Sequence, residues 1–318
     1  MRVLSVPISV PFLRTVVAAL LDGRLVAGFA ARSNPARLAE ATLYLPTRRA
    51  VQAVRAVFLD ELQADAAVLP RLVALGDIDE DELAFAQEAT SLDGAASLEI
   101  PPDLGELERR LTLARLVAAW AKSEVSAPLV VGGPASTLAL ASDLARLMDD
   151  MVTRNVAFDA LDQLVPDQLD QYWQHSLQFL QIARKAWPDH LAEIGKIEPA
   201  ARRDLLISAE AKRLTAHHAG PVIAAGSTGS MPATAKFLHA VARLPRGAVV
   251  LPGLDTDLDE EAWLSIGGIK DALGKFTVHP ASNHPQFAMH ALLRRFNLAR
   301  SDVEIVAPPA RGGRDMLA

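Results

Sequence analysis

Residues 220–255 read GPVIAAGSTGSMPATAKFLHAVARLPRGAVVLPGLD. A short apolar run, VIAA, is bounded by Gly220-Pro221 on one side and a Gly/Ser/Thr turn on the other, which is the pattern of a buried strand. A helical segment follows, and GAVVLPGLD (247–255) supplies a second apolar strand that ends in a Gly-containing turn. Strand, turn, helix and strand within one continuous stretch predict an α/β unit. The question is then whether this unit stands alone or completes a sheet begun earlier.

The N-terminal residues supply such a beginning. VLSVP is a β-type run, and apolar residues then recur at helical spacing from Phe12 to Leu21. ATLYLP (41–46) reads as a second strand. The segment TRRAVQAVRAVFLDEL after it places Ala50, Val51, Val54, Val57 and Phe58 on one helical face. LPRLVALGDI (69–78) gives a third strand, with Asp77 placed to cap an acidic helix from Asp79. Three β-then-α steps predict a doubly wound parallel sheet.

Pro101 and Pro102 mark a change of texture. From there to residue 215 the periodicity is helical: Leu107, Leu111, Leu113, Ala114, Val117 and Trp120 on or near one face, then stretches at 138–152, 169–187 and 200–214, with Pro134, Pro166 and Pro188 between them. The α/β pattern resumes afterwards, so the expected organisation is a discontinuous α/β domain over 1–100 and 216–318 with a helical subdomain inserted at 101–215. Beyond Thr256 the pattern is less regular, with a helix at about 286–296 and a last strand at VEIV before a tail rich in Pro, Gly and Arg.

Half of the residues are hydrophobic and 22% are charged, which suits a sizeable core and argues against disorder. Cysteine is absent, removing disulfides, thiolate metal sites and cysteine nucleophiles. Pro7 and Pro11 interrupt the apolar N-terminus and no run is long enough for a membrane span, so a soluble, cytoplasmic protein is expected. The net charge of −6 weighs against strong autonomous binding to duplex DNA but leaves room for a local basic track.

The order of elements resembles the first motor domain of superfamily 1 helicases. More specifically, the chain resembles the N-terminal region of the AddB family, the partner of AddA in bacterial AddAB helicase–nucleases, particularly the alphaproteobacterial form. The segments that carry the resemblance are VPFLRTVVAALL, LYLPTRRAVQAVR, LGDIDEDEL, the segment at 172–203, and above all the stretch from Gly220 to Trp263. The resemblance implies a P-loop-like fold, an AddA-type helicase subunit and single-strand DNA as partners, work on double-strand breaks for recombinational repair, and a nuclease domain beyond residue 318.

Measured against that layout, the chemistry of a motor is missing. A P-loop needs glycines whose N–H groups cradle phosphate, a Lys and a hydroxyl residue. After the first strand this chain has VPISVPFLRT, with two prolines, no glycine and no lysine, and Arg14-Thr15 as the nearest echo. Where the resemblance places the magnesium and base carboxylates of the second nucleotide site, the chain has Ala225 and Gly226. No catalytic residue, cofactor or metal is therefore expected.

The DNA-facing turn of the layout is retained as LPTRRA, in which Thr47, Arg48 and Arg49 are suited to backbone phosphate; the plainer alternative is two arginines opening an exposed helix, with Asp60 and Glu61 solvated beyond. The turn Gly226-Ser227-Thr228-Gly229 suits a phosphate or a neighbouring domain, or else a strand-to-helix turn capped by Thr228 or Ser230. His217 and His218 read as a solvated loop, and His279, His284 and His290 lack ligand-like spacing. The acidic cluster at 77–82 suits a helix start, and Trp173, Phe179 and Trp187 fit a packed helical face better than a base-stacking platform. Two other classes remain open: an architectural module that meets only protein partners, and a nucleotide-binding α/β enzyme.

Overall fold

Six short parallel strands form one sheet, and the chain crosses it in both directions. The structure is a computed structural model and describes residues 1–76, 78, 100–123, 133–154, 156–157, 178–217 and 220–307. The strands are β1 (Val3–Val6), β2 (Thr42–Leu45), β3 (Arg71–Ala74), β4 (Val222–Ala225) and β5 (Gly247–Pro252), a small antiparallel hairpin of β6 (Ile269–Lys270) and β7 (Phe276–Val278), and β8 (Glu304–Ile305). The order across the sheet is β3-β2-β4-β5-β1-β8. Strands from both ends of the chain therefore share one sheet: Leu43 lies beside Ile223, Ile223 beside Ala248, and Leu4 beside Val250.

The helices between them are α1 (Phe12–Leu21), α2 (Arg48–Leu62), α3 (Glu106–Ser123), α4 (Pro134–Arg154), α5 (Trp187–Ile194), α6 (Pro199–Ala216), α7 (Pro232–Arg243), α8 (Glu260–Ile266) and α9 (Phe287–Phe296). Side chains alternate across a strand. Leu4, Val6, Leu43, Leu45, Ile223 and Val250 thus face one way, into a core filled by Val16, Val17 and Leu20 of α1 and Val54 and Phe58 of α2. Tyr44 faces the other way and meets Phe237 of α7 edge to face, with centroids 4.9 Å apart. The connections from β1 to β2 and from β4 to β5 run in opposite directions along the sheet, and right-handed crossovers then place their helices on opposite faces.

Two compact units result, one of residues 1–96 and 206–318 and one of 97–205. The return boundary falls inside α6, earlier than the residue 216 expected from periodicity. The reason is chemical: Glu210 and Arg213, on the last turns of α6, belong to the sheet unit. Glu210 is 1% exposed. It accepts a hydrogen bond from the hydroxyl of Tyr44 and two from the Arg213 guanidinium, at 2.7 and 2.8 Å. Burial alone would raise the Glu210 pKa, but the hydrogen bonds from Arg213 and Tyr44 outweigh it and hold the carboxyl below its ordinary value. Burial, with the neighbouring Glu210 charge, pushes the Tyr44 phenol up, so it stays protonated as the donor.

The helical unit has its own core of Leu104, Leu113, Val117, Leu144, Met148 and Trp187. The buried face of α3 is not the whole stripe expected from the sequence. Leu107 and Leu111 are 70% and 49% exposed, whereas Arg109 is buried with Leu113 and Val117. Leu107 and Leu111 each stand two positions from Arg109, which puts them across the helix from it. Arg109 holds Asp149 through two hydrogen bonds and pairs with Glu198 at 2.9 Å, and Glu198 accepts from the Trp187 indole. That contact fixes Trp187 as a core residue, and Phe179 packs edge to face on Trp120. The expected acidic helix after Asp77, Trp173, His218, and much of the 169–187 stretch lie outside the described residues. Among those described, no helix is long and apolar enough to cross a membrane.

Replacing Glu210 by Ala would strand the Arg213 guanidinium, whose side chain is only 11% exposed, and should cost about 3–5 kcal/mol of stability in a urea titration. Because the folded pKa of Glu210 is depressed, its contribution should be present above an unfolded value of about 4.3 and be lost as pH falls through the folded pKa. The Ala variant should therefore show a flatter acid limb in stability against pH than the wild type.

Candidate functional site

In open parallel sheets, ligands sit outside the carboxyl ends of the strands where neighbouring connections leave toward opposite faces. Two such places exist here, between β1 and β5 and between β2 and β4. The loops that meet there follow β1 (Pro7 to Pro11), β2 (Pro46 and Thr47), β4 (Gly226 to Met231) and β5 (Gly253 to Asp259).

At the first crevice, side chains and backbone approach the strand ends closely. Gly253 N donates to Val6 O at 2.8 Å and Gly226 N donates to Val250 O at 2.9 Å, so pairing continues past the strand ends. Gly253 has φ +71°, and a Cβ there would lie 2.3 Å from Ile8 Cγ2. Ile8 itself is 90% exposed, so it covers the β5 turn from outside. A Cβ on Gly226 would lie 3.2 Å from the Phe12 ring and 3.5 Å from Pro46. Phe12 and Pro46 thus stand close beside the backbone of Gly226 and leave no room there for a larger residue. Apolar groups stand where a nucleotide-binding member of this architecture would leave a nest of N–H donors.

Several residues missed at the level of sequence hold this edge. Ser5 is fully buried, and its hydroxyl accepts from Leu254 N at 3.0 Å. Gln286 donates to Gly253 O at 2.9 Å and accepts from Asp255 N at 3.1 Å. Asp255 closes its own turn by accepting from the amides of Asp257 and Leu258. Nothing in a one-dimensional pattern marks Ser5 or Gln286, because their partners lie 249 and 33 residues away.

The β2 end is different. Thr47 is the N-cap of α2, and its hydroxyl oxygen accepts from Ala50 N at 3.2 Å, leaving its proton to donate outward. Thr47, Arg48 and Arg49 are all exposed, and Arg49 makes no ion pair among the described residues. Asp60 is solvated, as the plainer alternative has it, whereas Glu61 is largely covered. The Glu61 carboxylate pairs with Arg14 at 3.1 Å and with Arg32 at 3.5 Å, and Asp60 lies 3.7 Å from Arg14. These pairs tie α1 to the far end of α2 and occupy Arg14, the one cation in the segment between β1 and the first turn of α1.

Of the turn after β4, Ser227 accepts from Gly229 N at 3.3 Å and so shapes the turn. Gly229 is buried, and a Cβ there would meet Leu292 at 2.6 Å, so α9 covers it. Thr228 is half-buried. Neither Thr228 nor Ser230 caps the helix: α7 starts later, with Met231 at the cap without a side-chain hydrogen bond and Pro232 at the first position.

The edge is electrostatically uneven. Arg48 and Arg49 stand at the β2 end, while Asp255, Asp257, Asp259, Glu260 and Glu261 follow β5, two strands or about 10 Å away. The local charge is thus more favourable to an anion at the β2 side than at the β5 side, where Arg300 offsets Glu260 in part. Among the described residues, no three His, Asp or Glu side chains are grouped to hold a metal. No known family model matches the chain, and no curated protein matches it.

Thr47→Ala should cost about 1 kcal/mol through loss of the cap, whereas Thr47→Ser should retain most of it. Thermal unfolding of the two variants distinguishes them, and equal melting temperatures would remove the cap from the account of α2.

Proposed function

We propose that this chain is a helicase-like module without a motor, of the AddB type, that holds single-strand DNA in a helicase–nuclease processing double-strand breaks. In this reading its α/β unit is a P-loop-like domain that has lost its phosphate nest. The observation that carries it is the close approach of Phe12 and Pro46 to the Gly226 turn beside an exposed Thr47-Arg48-Arg49 helix start: apolar groups flank the strand-end crevice while hydroxyl and guanidinium groups stand exposed next to it. The sheet order supports it as well, since β1 and the strand at which an Asp-Glu pair would end, β4, both lie inside the sheet on either side of β5. Ala225 is turned into the α1/α2 core, where an ionised carboxylate would be buried without a partner.

The module's tasks follow from this chemistry. Helix-start amides, the Thr47 hydroxyl and two guanidiniums position one or two phosphates without reading bases. Hydrolysis belongs to a separate, AddA-type motor subunit in the cytoplasm. This chain should show no magnesium-dependent ATP hydrolysis above the buffer rate, alone or with a DNA strand present.

The decisive measurement compares wild-type protein with Arg48→Ala/Arg49→Ala on single-strand DNA at two salt concentrations. With so few phosphate contacts, binding should be weak and its salt slope shallow, with about one counterion released per contact. The double variant should lose affinity for all sequences alike and keep its stability within about 0.5 kcal/mol, because both residues are exposed. Unchanged affinity would make this edge an ordinary helix surface and favour a module that meets only protein partners.

A further inference from the structure

A second anion-facing site lies away from the strand ends, on α9. Phe287, His290, Ala291, Arg294 and Arg295 lie on one face of that helix and, with Gly267 and Pro280, line an open surface pocket of about 360 Å³. Its size is at the lower end of small-molecule pockets, which run from about 300 to 1,000 Å³.

His290 is the unusual member. It is 3% exposed and its ring stands edge-on to Trp263, with centroids 5.1 Å apart. No hydrogen bond is made by either ring nitrogen among the described residues. Gly267 ends α8 with φ −78°, a conformation open to any residue, so its backbone does not require glycine. Its surroundings do: a Cβ there would lie 2.2 Å from His290 Cε1. The missing side chain makes the space in which the ring stands, at the wall of the pocket.

The charge of the pocket is set by its other members. Arg294 and Arg295 are exposed and make no ion pair among the described residues. Burial, and then the Arg294 charge, lowers the His290 pKa against a weaker opposing effect of Glu260. The imidazole is therefore neutral at neutral pH and offers one donor and one acceptor. Phe287 and Pro280 add flat apolar surface. Two cations for an anion, an aromatic wall, and one neutral hydrogen-bonding edge make up a set that fits a heteroaromatic ring carrying a phosphate.

We propose that this pocket binds one nucleotide unit, with its base against Phe287 and Pro280, its phosphate on Arg294 and Arg295, and His290 hydrogen-bonded to the base edge. The unit is either a free mononucleotide or one link of a DNA strand. The proposal does not depend on the Thr47–Arg49 site.

The test titrates the full chain with deoxyadenosine monophosphate, deoxyadenosine, inorganic phosphate and a short oligodeoxyadenylate, following heat and the nitrogen resonances of labelled histidine. The monophosphate should saturate at a Kd of about 1 mM or tighter and shift the His290 signals. Arg294→Ala/Arg295→Ala, at exposed positions and with an unchanged circular dichroism spectrum, should weaken it about tenfold or more. Deoxyadenosine and phosphate alone should bind more weakly, and Arg48→Ala/Arg49→Ala should leave monophosphate binding unaltered. An oligonucleotide that outbinds the monophosphate and loses that advantage in the Arg294/Arg295 variant identifies a strand as the source; equal affinities identify the free nucleotide. The proposal is overturned if the monophosphate does not saturate, if the double variant binds it equally well, or if an acidic peptide competes with equal affinity. Loss of DNA binding confined to the Arg48/Arg49 variant bears on the other site alone.

Discussion

The carboxylate of Glu210 holds the sheet unit together across the longest excursion between consecutive strands, from β3 to β4. After β3 the chain leaves the sheet, and it returns at β4, which must enter between β2 and β5 with all four of its residues buried. Closing so long an excursion costs entropy, although the cost grows only slowly with length. The returning helix α6 is fixed by Tyr44 on β2, the neighbour β4 has to find, since Glu210 takes the Tyr44 hydroxyl and the Arg213 guanidinium together. A buried pair of this kind adds little if compared with well-packed hydrophobic residues, and its value lies in register. A one-residue slip of β4 would turn Ala225 out of the α1/α2 core and displace Gly226 from Phe12.

The helical unit carries a second buried carboxylate with the opposite balance. Burial raises the Glu198 pKa in spite of Arg109 and Trp187, whereas the partners of Glu210 win against burial. The geometry explains the difference. Arg213 approaches Glu210 with two aligned N–H groups, whereas Arg109 divides its guanidinium between Asp149 and Glu198. For Glu198 the ionised form is penalised in the fold, so this carboxylate subtracts from stability as pH rises through its unfolded value, the reverse of Glu210.

Much of the fold was readable from local pattern. The helix expected over Phe12 to Leu21 and the strand within ATLYLP carry their own periodicity and punctuation, and both occur. What failed depended on partners distant in sequence. Leu107 and Leu111 look like core because they are leucines at helical spacing, yet the face of α3 is chosen by Arg109 and its carboxylates. The β6/β7 hairpin was not seen because its strands are two and three residues long and mostly exposed, with little alternation to read. Thr47 was legible as a polar residue at a strand end, but its capping of Ala50 N and the pairing of Glu61 with Arg14 and Arg32 need coordinates. Gly267 was visible only as half of a Gly-Gly pair, since its use is to make room for a histidine later in the chain.

The net charge of −6 is compatible with phosphate binding because the cations are placed and not abundant. Arg48 and Arg49 stand at one end of the strand-end edge, and the acidic run from Asp255 to Glu261 stands at the other. With a screening length of about 8 Å at physiological salt, charges at the two ends scarcely cancel each other. An approaching anion then meets a gradient along the edge, more favourable at β2 than at β5. A uniformly basic surface would bind more tightly but would leave position undetermined. Localised attraction on an acidic body therefore favours an anion that is held weakly and at one place over one that is bound tightly anywhere on the surface.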